Sequence, residues 1–436
     1  MKEILEKLKN KQNLSFEESK LAFEILMNGK ARDFIILEDV NAEDFVSESF
    51  GIQNNIMIPC SSSDVLEDCN NRYWCEWNEL DGVCKSNEKD LLFVANELDG
   101  LLIYEIIVDD ELDFSLIYSN NGFEYTDDPL ENILDLELRS IEYSETNNTL
   151  YVLDKFEFIY QIFLPSILIA DEYKQYCNNS QEAIHSLSVG DLGTYHATKF
   201  ILKENSGIID GLFVLNKHNA NNELYLEESY SEIQFESFES FLQPSGTSCE
   251  GNGAPITQTV SLLSEEDALD YNISDIAFSE DVFIVSNPVD EYFSLNAYAY
   301  SEGEVSNKVE TFSPNKVLST SLVNDYLYAG VKETGCYITL LPGDGILDEN
   351  DNILNMPDNF SVYDIQYQKI EGQEFLLLSC GSNGVLVYSD TNQDGLITDA
   401  NFRGHIISSH AYVAKMFNDN IVFVGTKNGI EIYTIN

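Results

Sequence analysis

"FLLLSCGSNGVLVYSD", residues 375–390, is an apolar run, a short polar turn ending at Gly384, and a second apolar run carrying a tyrosine near its end. Each run is too short for a globular helix and the second is rich in Val and Tyr, so the stretch predicts two strands joined by a tight turn. The same form returns in "YLYAGVKETGCYITLL" (326–341) and "IVFVGTKNGIEIYTI" (421–435). Looser copies stand at "LLFVANELDGLLIYEI" (91–106), "TLYVLDKFEFIYQI" (149–162), "GLFVLNKHNANNELYLEE" (211–228) and "DVFIVSNPVDEYFSLNAYAY" (281–300). Past residue 90 the hydrophobic pattern has period two throughout, which predicts an all-β chain.

The last three copies recur about every 45–50 residues, too long for one hairpin and right for a four-stranded antiparallel unit. A sheet of that size has two apolar faces and cannot bury both alone, so neighbours must stack. A closed ring does this without leaving an open end, and seven copies predict a seven-bladed β-propeller, with six or eight blades also allowed. A pair of β-sandwiches is the structural rival, because alternation alone does not exclude it. Gly100, Gly335, Gly384 and Gly429 fall in the turn between the two most regular strands, where a positive φ is expected. Tyr104, Tyr160, Tyr388 and Tyr433 repeat after that turn and read as framework.

The chain divides by pattern into a helical hairpin at 1–32, a connecting cysteine-rich segment at 33–90 and a propeller at 91–436. "NNIMIP" (54–59) is the expected ring-closing strand. In the leader, "EILEKLKNKQNLSFEESKLAFEILMNG", Ser15 and Glu18 form a capping box and Asn28-Gly29 ends the second helix. This short segment resembles the helical leader of anthranilate phosphoribosyltransferase, yet nothing after residue 30 matches that family's phosphate loop. The repeat form, three apolar residues, a glycine turn and a closing apolar-x-apolar-Tyr, resembles the LVIVD-type repeat of surface and secreted propellers. That resemblance implies an extracellular or cell-surface interaction module. The strands lack the Trp-Asp ending of WD repeats.

Composition narrows the function. The 436 residues hold 76 Asp+Glu against 23 Lys+Arg, a net charge of −53, which repels nucleic acids and anionic membranes and collects cations. No apolar run reaches membrane-spanning length, so direct membrane insertion is not expected. Eight cysteines occur. Cys60, Cys69, Cys75 and Cys84 crowd together without a CxxC pair or a nearby histidine, which favours disulfides over zinc. Cys177 and Cys249 are a candidate pair, while Cys336 and Cys380, inside strands, read as buried thiols. Disulfides argue for an extracellular or surface location; the charged N-terminus "MKEILEKLKNKQ", with no signal core, leaves a cytoplasmic scaffold as the alternative.

Asp390, Asn392 and Asp394, with Gly395, the Leu396 carbonyl, Thr398 and Asp399, place oxygen donors around one turn in a pattern close to a Ca2+ loop. The closing bidentate glutamate is replaced by Asn401, and Asp399 is the substitute. A second acidic turn, "LPGDGILDENDN" (341–352), offers Asp344 and Asp348 at the matching place in the preceding repeat. The sequence carries none of the common nucleophile or nucleotide motifs, and His405 and His410 read as loop or packing residues. The expected function is a non-catalytic module stabilised by calcium, binding a protein or glycan partner at a propeller face or inter-blade loop. The alternatives are a carbohydrate-active hydrolase or lyase using channel carboxylates, and a cytoplasmic scaffold.

Overall fold

The computed structural model describes, upstream of residue 317, the strand residues named below together with residue 88. From 317 it describes 317–340, 352–357, 360–392 and 394–435. The 1–30 leader, the 54–59 segment, Cys60, Cys69, Cys177, Cys249, Asp344 and Asp348 lie outside the described residues.

Among the described residues, seven antiparallel meanders follow one another along the chain. The first sheet is Ala31–Val40, Lys89–Asn96, Gly100–Val108 and Leu112–Ser119. The second is Leu138–Ser144, Thr149–Asp154, Phe158–Phe163 and Ile184–Ser188. The third is Tyr195–Asn205, Ile208–His218, Ser231–Ser237 and Thr259–Ser261. The fourth is Asp275–Ser279, Val282–Ser286, Leu295–Ser301 and Glu304–Thr311. The fifth is Val317–Val323, Tyr326–Val331, Gly335–Leu340 and Asn352–Asn355. The sixth is Asp364–Ile370, Gln373–Ser379, Val385–Asp390 and Phe402–Ile406, and the seventh is Ala411–Phe417, Ile421–Thr426 and Gly429–Thr434.

The first strand of each sheet touches the first strand of the next, and that of the seventh sheet touches that of the first. The circuit closes, and the fold is an all-β propeller. Sheets pack face to face through their middle strands, whose side chains are buried on both sides. Phe375, Leu376, Leu377 and Leu378 are all sealed from solvent, as a strand with a neighbour on each face requires.

The ring begins earlier than the repeat pattern announced. Ala31–Val40, inside the stretch read as leader and connector, is the inner strand of the first sheet and pairs with Lys89–Asn96. Its charged residues disguised it: Asp33 faces the channel, so the strand does not read as a uniform apolar run. The connector also holds a two-stranded hairpin, Cys75–Asn78 with Val83–Ser86, and Cys75 and Cys84 are both disulfide-bonded.

The seam between seventh and first sheets is built from side chains. Phe34, Leu92, Val94 and Tyr104 share one core with Val413, Phe417, Phe423 and Ile430. Phe423 is its centre, with Phe34, Phe114 and Phe417 rings at 6.3, 5.8 and 5.9 Å. Burying a phenylalanine of this kind contributes about 2–3 kcal/mol. Tyr104 and Tyr388 are buried framework residues. Tyr433 instead sits at the edge, its one hydroxyl hydrogen shared between the Glu431 carboxylate at 2.7 Å and the Ile407 carbonyl at 3.0 Å.

All four repeat-turn glycines have positive φ: Gly100 70°, Gly335 142°, Gly384 82° and Gly429 117°. At Gly384 a side chain would also collide with the Ile406 carbonyl of the neighbouring strand, so both conformation and space demand glycine.

Candidate functional site

Two polar regions stand out, the Asp390–Asp399 corner and the central channel. The corner leaves the sixth sheet after Val385–Asp390 and folds into the seam with the fifth. Tyr328, buried in the fifth sheet, donates its hydroxyl to the Gly395 carbonyl and accepts the Ile397 N–H at 3.0 Å. The fully buried Glu374 accepts the Gly395 N–H through both oxygens, at 3.1 and 3.2 Å, with Lys369 3.6 Å away. Gly395 has φ +82° and is backed by Asn324, whose amide donates to the Asp394 carbonyl. Ile397 is sealed in the core shared by the two sheets, against which Leu396 packs.

The carboxylates at this corner are engaged by the protein's own amides. Asp390 accepts from the Thr391 and Asn392 N–H groups and from the Asn392 side chain. Asp394 accepts the Leu396 N–H at 2.9 Å. Asp399 reaches across to the fifth sheet and takes both the backbone and the side-chain N–H of Asn355. Thr398 donates to Asn401. The loop thus brings Asp390 and Asn392 together and sends Asp399 to another sheet. Among the described residues no group of three or more His, Cys, Asp or Glu is gathered as metal ligands. Spacing alone did not reveal Tyr328, Glu374 and Asn355, which anchor the corner from elsewhere in the chain.

A cavity of about 470 Å³ lies where the seven inner strands meet. It takes Asp33, Glu142, Lys199, Asp275, Thr320, Asp364 and Lys415 from successive sheets. Asp33, Asp275 and Asp364 each directly precede a buried apolar residue on an inner strand, namely Phe34, Ile276 and Ile365. Two of the three work as clasps across three sheets. Lys415 of the seventh sheet lies 3.5 Å from Asp33, which accepts the Ile141 N–H and the Ser140 hydroxyl of the second sheet at 3.1 and 3.2 Å. Lys199 of the third sheet pairs with Asp275, which accepts the Thr320 N–H of the fifth sheet at 2.7 Å.

The remaining channel carboxylates are held less well. Burial pushes the Glu142 carboxyl up to about 7, Asp33 adding to the effect while Lys415 and Lys199 oppose it. Burial likewise pushes Asp364 up to about 6, against the pull of Lys199 and with Asp33 adding. For Lys199, burial favours the neutral form, but the charge and hydrogen bond of Asp275 outweigh it and its ammonium is stabilised.

At one mouth of the channel Tyr363 and Tyr412 line the opening. His410 stacks edge-on against Tyr412 at 5.1 Å, and Gly381 is the floor beneath Tyr363 and His410. Ile407, three residues before His410, is 78% exposed and Tyr363 is 55% exposed. His405 is occupied elsewhere, against the Phe360 ring and the Asn383 carbonyl. Cys336 and Cys380 are buried free thiols, and burial pushes Cys380 up to about 12, which makes it unreactive.

No known family profile matches the chain. A 33-residue stretch is 70% identical to anthranilate phosphoribosyltransferase of Pelagibacter ubique (strain HTCC1062), covering 8% of this chain and 10% of that enzyme. Solved structures similar in outline include the WD40 β-propeller domain of Doa1, at 11% identity and TM-score 0.44, covering 79% of this chain and 88% of that one. The Dos1 propeller has 10% identity and TM-score 0.41 over 83% and 80%. YCF48 bound to D1 peptide has 8% identity and TM-score 0.43 over 79% and 89%. These likenesses are low, and the ring rests on its own strand pairing. Among the described residues no helix is long and apolar enough to cross a membrane.

Proposed function

We propose that this protein is a non-catalytic interaction module that docks a protein partner at the channel mouth lined by Tyr363 and Tyr412, with His410 against Tyr412. One observation carries the reading. Tyr363, at the rim of the cavity, is 55% exposed, and Ile407, at the other end of the sixth sheet's chain segment, is 78% exposed; large exposed side chains beside a cavity suit recognition. The net charge of −53 favours a basic partner. A photo-crosslinking residue at position 363 or 407 should capture one discrete protein in the source organism, and the same residue at Asn418, in a turn at the far end of its strand, should not. Capture of glycoconjugates instead, or equal labelling from both faces, would contradict the reading.

Two structural roles accompany it. Calcium at the Asp390–Asp399 corner would take over from the amides of Thr391, Asn392 and Leu396 as partner of Asp390 and Asp394, pinning the loop between sheets. A chelator should then lower the melting temperature in low salt, and an unchanged transition would rule the ion out. The extracellular or cell-surface location, like kinship to LVIVD-type repeats, is proposed on the same footing, supported by the bonded Cys75 and Cys84. A thiol count showing them reduced in native protein would remove that support.

The raised carboxyls of Glu142 and Asp364 beside Tyr363 and Tyr412 favour a second reading, acid–base hydrolysis of a glycan in the channel. Turnover of an oligosaccharide library, lost in Glu142→Gln, would establish it in place of the first.

A further inference from the structure

The three channel aspartates are not treated alike, and the odd one is informative. Asp33 and Asp275 each have a lysine from the preceding sheet and an N–H from the following sheet. Asp364 has neither. Among the described residues its Oδ1 accepts only from Gln366 of its own strand, at 3.1 Å, and its buried Oδ2 has no hydrogen-bond partner. The cause is visible one sheet back. The inner strand that should supply the cation, Val317–Val323, reads VLSTSLV and carries no charge. Where the seventh sheet places Lys415, two residues beyond the Val413–Gly425 pair, the fifth places Ser321, two residues beyond the Ser319–Gly330 pair.

A buried carboxylate without a partner is costly unless something supplies the missing charge. The cavity beside Asp364 is lined by Glu142, Ser321, Tyr363 and Tyr412, a carboxylate-and-aromatic setting suited to an organic cation. Lys199 acts on Asp364 only through the field, because its ammonium is bound to Asp275. We propose that the channel is a receptor site for an ammonium or guanidinium group, which sits against Asp364 in the place a lysine occupies beside Asp33 and Asp275, with Glu142 as the second carboxylate. The inference rests on the reading of the chain as a binding module and names the chemistry of what enters it.

The test is calorimetric titration in physiological salt with two probes, n-butylammonium and a short peptide bearing one lysine and one arginine. Saturable binding of at least one probe is expected. It should weaken at least tenfold in Asp364→Asn and in Ser321→Lys, which places a cation inside the protein. Asp419→Asn, exposed in the turn after Ala411–Phe417, should leave it unchanged and so controls for diffuse attraction to the acidic surface. Equal affinities for both probes mean that free amines are the ligand, and binding of the peptide alone means the cation arrives on a polypeptide. A raised melting temperature in Ser321→Lys shows that variant to be folded, with its own cation beside Asp364. No saturable binding, or equal loss in Asp364→Asn and Asp419→Asn, overturns the proposal. If crosslinking at Tyr363 still captures a partner, the cation site fails while the interaction reading stands.

Discussion

The corner and the channel are both rich in acids, but they hold their charges in opposite ways. At the corner, the carboxylates of Asp390 and Asp394 accept bonds from amides one or two residues away, so their own charge is held locally even though Tyr328 and Glu374 tie the loop to two sheets. In the channel, Asp33 is held by Lys415, 382 residues away, and by Ile141, 108 residues away. Those local bonds at the corner need no other sheet. A channel clasp exists only when three sheets are already in place, so it reports on closure itself.

That difference ranks the expected effects. Asp33→Ala should be the most damaging, costing about 3 kcal/mol in urea unfolding, because it leaves the mostly buried Lys415 ammonium with the Phe34 carbonyl but no counter-charge and unpairs the Ile141 N–H. A cost below about 1 kcal/mol would mean the clasp does not hold the ring. Tyr328→Phe removes the single hydroxyl that serves both the Gly395 carbonyl and the Ile397 N–H. It should cost about 2 kcal/mol and speed hydrogen exchange at Ile397, showing how far the corner depends on the fifth sheet.

Glu142→Gln should act in the other direction. With its folded-state carboxyl near 7 against an ordinary 4.5, Glu142 binds its proton more tightly in the folded protein. Its favourable contribution is therefore complete below about pH 4.5 and lost as pH rises through about 7. The parent protein should lose stability between pH 5 and pH 8. The variant should flatten that slope and gain on the order of 1–2 kcal/mol at pH 8. An unchanged slope would show that Glu142 is solvated. Asp399→Ala, on the exposed side of the corner, should cost least, about 0.5–1 kcal/mol. A larger loss in calcium than in chelator would place the ion against Asp399.

The same contrast explains what could be read from the residues in order. Gly384 and its three counterparts were legible because a turn is local and its conformational demand falls on one residue. The turn at Asp390–Asp394 was legible for the same reason, while Asp399, expected to join it, reaches Asn355 of the fifth sheet instead. Tyr328, Glu374 and Asn355 were not, because the seam that gathers them exists only after two sheets stack. The channel was the least legible, since strands from all seven sheets contribute to it. The weak trace it leaves is an acid placed directly before a buried apolar residue at the head of a strand, in "RDFIIL", "SDIAFS" and "YDIQYQ". The first of these also hides the inner strand that opens the ring.

The most direct test of the closed ring is a double-mutant cycle between Asp33 and Lys415, using Asp33→Asn and Lys415→Met. Closure predicts a coupling of about 1–3 kcal/mol between these sequence-distant residues. Strictly additive effects would mean that the first and seventh sheets do not meet.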